Sequence, residues 1–188
     1  GTVFPSTLGG GSDMASRGCK ACFDPVYEFP RPTVAGFMAV ARAYADAGMR
    51  AVLAPMVADR TLFAAIPGLA DSLPDDLRAE VGRFSLGPGE ATIEALEAIA
   101  DARADLPPGI ALAMAPTIPH HCSEPFLMRV AAIAEQHGLS LHMHIAESRL
   151  QAVAARKLWG QSPVAWLAGR GLLSPRFIAA HAVWLGLD

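Results

Sequence analysis

The chain has 188 residues, 52% of them hydrophobic and 18% charged, with a formal net charge of -3. That is enough apolar material for one domain with a real core, and it argues against disorder. There is no basic patch and no uninterrupted apolar run long enough to span a bilayer, so neither nucleic acid nor a membrane is an expected partner.

Taken in chain order, residues 17–24 read as a short strand. Residues 32–47 read as a helix, with Pro32 near its start and Gly48 just past its end. Residues 49–57 form a second strand, 59–66 a short helix, and 67–89 a long loop containing glycine and proline. Residues 90–105 are helical and are closed by Pro107, Pro108 and Gly109. Residues 110–117 are a third strand, with Ile110, Leu112 and Met114 on one face and three alanines with Thr117 on the other. Ser123 caps a helix running to His137, and Gly138 ends it. Residues 139–147 are the fourth strand. Helices follow at 148–159 and 163–169, and residues 176–185 are the fifth strand. Strand and helix alternate with short junctions, so the sheet should be parallel.

The first residues have neither an initiator Met nor the basic-then-apolar layout of a signal peptide, and both ends of the chain read as cut. The three cysteines are an odd number, which argues against a disulfide framework. Cys19 and Cys22 have redox or zinc spacing, but no second pair exists, and residues three apart on a strand point to opposite faces. A reducing cytoplasm is the expected compartment.

The fourth strand is the most informative segment. Ser140, His142, His144 and Ala146 share one face, and Leu139, Leu141, Met143 and Ile145 the other. One face is fit to pack on helices and the other offers imidazoles, which bind metals and move protons near neutral pH. A sheet with large apolar residues outward and small or polar ones inward suits a (β/α) barrel better than a doubly wound sheet, which is apolar on both faces. No phosphate-binding glycine motif is present. Five strands cannot close an eight-stranded barrel, so the expected fold class is α/β: a TIM barrel, here incomplete. In such a barrel catalytic groups lie at the C-terminal strand ends, where Asp24, Thr117, His144, Glu147 and His181 fall.

The run His142-Met143-His144-Ile145-Ala146-Glu147-Ser148, followed by Phe177 through His181 to Trp184, resembles the fifth and sixth strands of the amidohydrolase superfamily. The branch it resembles is that of cytosine deaminase, S-adenosylhomocysteine deaminase and triazine hydrolase. Residues 115–123 are similar to that branch's fourth-strand exit, and residues 17–24 to its second strand. The resemblance implies that residues 1–188 are the central part of one catalytic barrel, with the remaining strands and a small β-sandwich outside them. It implies one divalent metal, zinc first and iron as the alternative. Of the family's ligands only the fifth-strand histidine maps here, onto His144. Glu147 matches the proton shuttle, and His181 the histidine that contacts substrate or the attacking water. The glutamate three residues on, and the earlier strands, place the His142/His144 pair on the fifth strand rather than the first.

Thr117, His120, His121 and His142 are candidates for substrate contact. The ordinary alternatives are a solvated loop for His120 and His121 and a hydrogen-bonded core histidine for His142. His137 reads as a favourable charge at a helix C-terminus. Asp24 and Asp59 read equally as helix caps or as acceptors behind the site. The three tryptophans read as core.

The function implied is a metal-dependent hydrolase acting on non-peptide C–N bonds. It would deaminate, or dehalogenate, an N-heterocycle with hydroxide made available by the metal. A histidine tends to follow the fourth-strand proline in adenosine-type deaminases of this branch. Thr117 stands there instead, which counts against a nucleoside; amino-pyrimidines, guanine-like rings and triazines stay open. The alternatives are amide or cyclic-imide hydrolysis in the same superfamily, and a non-catalytic barrel with structural histidines. The binuclear branches usually need a carboxylated lysine at the fourth strand, and residues 115–117 offer none. The expected partner is a small-molecule heterocycle; self-association into a homo-oligomer is compatible with this reading.

Overall fold

A computed structural model describes residues 3–83 and 86–185. Five strands form one sheet: β1 (Ala21–Val26), β2 (Arg50–Val57), β3 (Ile110–Pro116), β4 (Ser140–Ile145) and β5 (Phe177–His181). Their spatial order is their chain order, and every neighbouring pair is parallel. Each return to the next strand therefore moves one place in the same direction. That is the winding of a barrel wall rather than of a doubly wound sheet.

The helices are α1 (Val3–Ser16), α2 (Val34–Asp46), α3 (Leu62–Ala65), α4 (Asp75–Val81), α5 (Gly89–Asp101), α6 (Glu124–Gln136), α7 (Arg149–Trp159) and α8 (Pro163–Ala168). Their starts follow from local chemistry. Thr33, Thr61, Ser123, Ser148 and Ser162 each accept a backbone N–H of the first helical turn. Gly138 follows α6 at φ +66°, and Gly160 ends α7 at φ +70°, the left-handed conformation that glycine takes without a Cβ clash.

The sheet has two unlike faces. Ile110, Leu112 and Met114 of β3 and Leu141, Met143 and Ile145 of β4 are buried with the helices in the main core. Ala113 and Ala115 face the other way, into a small cluster with Ala54 against Phe23, Val52 and Met56. The period-2 reading holds within both strands, but Ala146, read on the histidine face, lies just past the end of β4 and is buried with the main core. Met143 is fully buried between sheet and helices. Met143→Ala is expected to lower unfolding stability by about 2–5 kcal/mol, through lost transfer energy and the cavity left behind. Urea denaturation checks it; a change well below 1 kcal/mol would mean that the strand is not packed as described.

Four elements depart from the sequence reading. Strand β1 covers Ala21–Val26 rather than residues 17–24. Helix α1 was not expected, because Gly9, Gly10 and Gly11 disfavour helix. Packing against α2 overrides propensity there. A Cβ on Gly11 would lie 3.2 Å from that of Ala47, so the glycine permits the close approach. Helix α4, with an adjacent 3-10 turn at Ala70–Ser72, occupies part of the segment read as a loop. Strand β5 ends at His181 rather than running to residue 185, because His181 and Ala182 take positive φ of 68° and 52° and turn the chain.

Candidate active site

Strand β4 delivers His144 to the C-terminal edge of the sheet. The Thr117 carbonyl, just past β3, accepts the His144 backbone N–H at 2.8 Å and lies 3.1 Å from the ring Nδ1. A carbonyl oxygen can only accept, so Nδ1 carries a proton, and in the neutral imidazole the lone pair then falls on Nε2. This is how a metal-binding imidazole is held when a backbone acceptor fixes its tautomer. His144 therefore fits a ligand role. Among the described residues, no three His, Cys, Asp or Glu side chains come together as a metal site.

His181 sits beside it on β5, next in register to Ala180, which pairs with His144. The two imidazoles are 5.4 Å apart between centroids, tilted by 30°. Glu147 follows β4 by two residues, and its Oε1 lies 3.6 Å from His181 Nε2, a contact just beyond hydrogen-bond length. Glu147 and His181 are both partly open to solvent. The structure thus brings together the three residues read as ligand, shuttle and water-orienting histidine.

The backbone around them is strained. Ala146, His181 and Ala182 are the non-glycine residues with positive φ among those described. All three lie at the ends of β4 and β5, against the glutamate and histidine of the site. Left-handed backbone at non-glycine positions costs about 1–3 kcal/mol each and clusters where geometry serves function. Nothing in the sequence signals these conformations.

Of the remaining candidates, His142 stays against the group, its ring edge-on to that of His144 with centroids 5.4 Å apart. Thr117 and His121 line a cleft of about 270 Å³ at the exits of β1, β2 and β3, together with Tyr27, Met56, Arg60 and Phe63. Thr117 joins this cleft to the histidine group, through a backbone carbonyl rather than the side chain that the sequence reading weighed. His142 is buried one layer below His144, stacked on Phe23 with centroids 4.6 Å apart. Its Nδ1 has no hydrogen-bond partner among the described residues, and burial, with His144 and His181 after it, lowers its pKa. His120 is 1% exposed and stacks on Trp159, which stacks on Trp166, which in turn lies under Arg170. It packs into the helical layer, unlike its neighbour His121.

Burial, and after it the neighbouring His121, push the His120 pKa down to about 4 from an ordinary 6.5. The unfolded chain binds this proton more readily, so its contribution to stability is present above pH 6.5 and is lost as pH falls toward 4. The full loss is at most about 3 kcal/mol. Denaturation midpoints across that range should decline with acid in the wild type and decline less in His120→Phe. Equal declines in both would assign the acid sensitivity elsewhere.

Three polar residues take structural partners. Asp24 accepts the Tyr44 hydroxyl at 2.8 Å and so faces α2, not the site. Asp59 accepts Ser123 N–H at 2.7 Å and the Ser123 hydroxyl at 2.5 Å, tying the exit of β2 to the start of α6. Nη1 of Arg103 lies 2.9 Å from Nδ1 of His137, and Nε2 of the same ring lies 3.9 Å from the Asp101 carboxylate, so His137 takes partners from the preceding helix. Cys19, Cys22 and Cys122 are free thiols.

Comparison with known proteins extends this picture. The sequence profile of the amidohydrolase family matches residues 6–188. A 5'-deoxyadenosine deaminase of Methanothermobacter thermautotrophicus is 32% identical over 146 residues, covering 78% of this chain and 29% of that protein. A 5-methylthioadenosine/S-adenosylhomocysteine deaminase of Desulfitobacterium hafniense is 28% identical over 151 residues, 78% of this chain and 28% of that protein. The chain thus spans under a third of the length of these relatives. Among solved structures, a zinc-bound adenosine deaminase from Xanthomonas campestris superposes with a TM-score of 0.68 at 22% identity, over 98% of this chain and 35% of that one. A zinc-complexed atrazine chlorohydrolase from Arthrobacter aurescens gives 0.71 at 20%, over 94% and 37%. These likenesses show the fold, a TIM barrel of which the chain supplies five consecutive parallel strands. With the family profile running through all five of those strands, the chain belongs to the amidohydrolase family.

Proposed function

We propose that the chain is the central part of a catalytic barrel that hydrolyses a non-peptide C–N bond, most directly by deaminating an N-heterocycle, with dehalogenation as the variant. The observation that carries this reading is the His144 imidazole. Its Nδ1 is committed to the Thr117 carbonyl, and its Nε2 is free beside His181 and Glu147. His144 would hold one divalent metal, zinc foremost, with further ligands from outside these residues. Such an ion, when bound, makes hydroxide available near neutral pH.

The chain's own groups supply the rest. A flat ring fits the mostly apolar cleft beside Thr117, with its reacting carbon toward the histidines. Oε1 of Glu147 takes the proton of the attacking water and passes it to a ring nitrogen or to the leaving amine. The C–O bond forms, the C–N bond breaks, and ammonia leaves. His181 orients the water and stabilises charge that develops on it. The names of the two curated relatives above, both deaminases of adenosine derivatives, support an aminated purine-like ring.

The proposal also places further strands of the barrel beyond β5, whose edge leaves Ile178, Val183, Trp184 and Leu185 exposed. Three free thiols, together with described residues in which no helix is long and apolar enough to cross a membrane, are compatible with the cytoplasm. The test is ammonia or halide release by the full barrel from a panel of aminated and chlorinated heterocycles, before and after chelation and zinc re-addition. Metal-restored release supports the reading. Release only from amides or cyclic imides would replace it.

A further inference from the structure

Glu147 is held by a residue with no place in the mechanism above. Gln151 lies on the first turn of α7 and is 8% exposed. The Glu147 backbone N–H donates to Gln151 Oε1 at 3.0 Å. Only the amide oxygen can accept that proton, so Nε2 must point the other way, and it lies 3.4 Å from Glu147 Oε2. One side-chain amide therefore grips both the backbone and the carboxylate of the same residue.

The local sequence explains how. Ser148 is the N-cap of α7 and accepts the Gln151 N–H. Ser148-Arg149-Leu150-Gln151 has capping-box spacing, in which the glutamine normally returns to the cap residue's own N–H. Here it reaches one residue further back, to Glu147, which leaves its amide nitrogen beside the carboxylate.

The grip falls where the chain most needs one. Ala146 takes a φ of +46°, and its carbonyl accepts the N–H groups of Val183 and Trp184 at 3.2 and 2.8 Å. The strained peptide between Ala146 and Glu147 is thus pinned on its oxygen side by the segment after β5 and on its nitrogen side by Gln151. The carboxylate oxygens are divided in the same way. Oε2 is taken by the amide, and Oε1 faces His181 and is the one left to exchange a proton.

We propose that Gln151 is a positioning residue that aims Glu147, fixing its backbone and reserving one carboxylate oxygen for proton transfer. This rests on the reading of Glu147 as the proton shuttle. Gln151→Ala removes both contacts. Gln151→Glu keeps an acceptor for the Glu147 N–H and the helix cap, but sets a second carboxylate against Oε2.

In the full barrel, hydrogen exchange at the Glu147 amide should accelerate in Gln151→Ala and stay near wild type in Gln151→Glu. In the full barrel, both variants should lose roughly tenfold in kcat with KM little changed, as for one hydrogen bond lost near the reacting groups. Gln151→Glu should also move the acid limb of the kcat profile upward, since a like charge raises a carboxylate pKa. A mere helix cap would not move that limb. Wild-type kcat and pH profile in Gln151→Glu, with turnover abolished in Glu147→Gln, would overturn the inference and leave the shuttle reading standing. Normal turnover in Glu147→Gln would overturn the shuttle reading itself.

Discussion

Glu147→Gln in the full barrel is expected to keep its metal and lose about 10²–10⁴-fold in kcat, the usual contribution of a general acid–base group. The amide is nearly isosteric with the carboxylate but cannot take a proton from water. His144→Ala should fail differently. It removes the imidazole whose Nε2 the Thr117 carbonyl leaves free, so metal content should fall first and turnover with it. A ligand contributes to holding the ion, whereas a shuttle acts in the chemical step alone. Elemental analysis and kcat on both variants separate the two roles. Metal retained in full by His144→Ala, or near-normal turnover in Glu147→Gln, would remove that residue from its assigned role.

The distinction depends on features that were unequally legible in the sequence. The alternation along β3 and β4 could be read because side-chain direction in a strand is fixed by parity. Met143 and Ile145 could face only one way once His142 and His144 faced the other. Helix starts could be read because Thr33, Ser123 and Ser148 carry the hydroxyl that the first turn requires. Helix α1 could not, because its three glycines argue locally against helix, and only Gly11 among them lies at the contact with α2.

At the site, the residue types that bear chemistry were visible, while the geometry that directs them was not. His120 and His121 are adjacent and of the same type, yet one is sealed against Trp159 and the other lines the cleft. Thr117 was weighed by its side chain, whereas its carbonyl is what fixes the His144 tautomer. Any residue could have supplied that carbonyl, so no sequence signal marks it. Gln151 did leave a trace in the serine-to-glutamine spacing of a capping box. That motif reports a helix start, and only the folded chain shows the amide turned toward the carboxylate.

The 188-residue chain produced alone is expected to show no measurable turnover and to bind metal weakly. His144 presents one nitrogen, and a lone imidazole falls short of the roughly four-coordinate shell that a zinc site needs. Its neighbours do not complete the shell. His181 and Glu147 face each other at 3.6 Å, and His142 lies a layer deeper against Phe23. The edge at β5 adds a second consequence. Ile178, Val183, Trp184 and Leu185 are exposed there, and a strand edge offers unpaired backbone groups to any neighbour, so self-association or poor solubility should accompany the inactivity. The decisive comparison is metal stoichiometry, oligomeric state and ammonia release for the 188 residues against a chain extended at both ends. Gain of one metal and of turnover on extension supports the reading. If the 188 residues alone form a soluble monomer that holds one zinc and releases ammonia from an aminated ring, the site is complete within them. Its remaining ligands would then have to come from residues such as His142, whose ring already lies 5.4 Å from that of His144, or His121, which lines the neighbouring cleft.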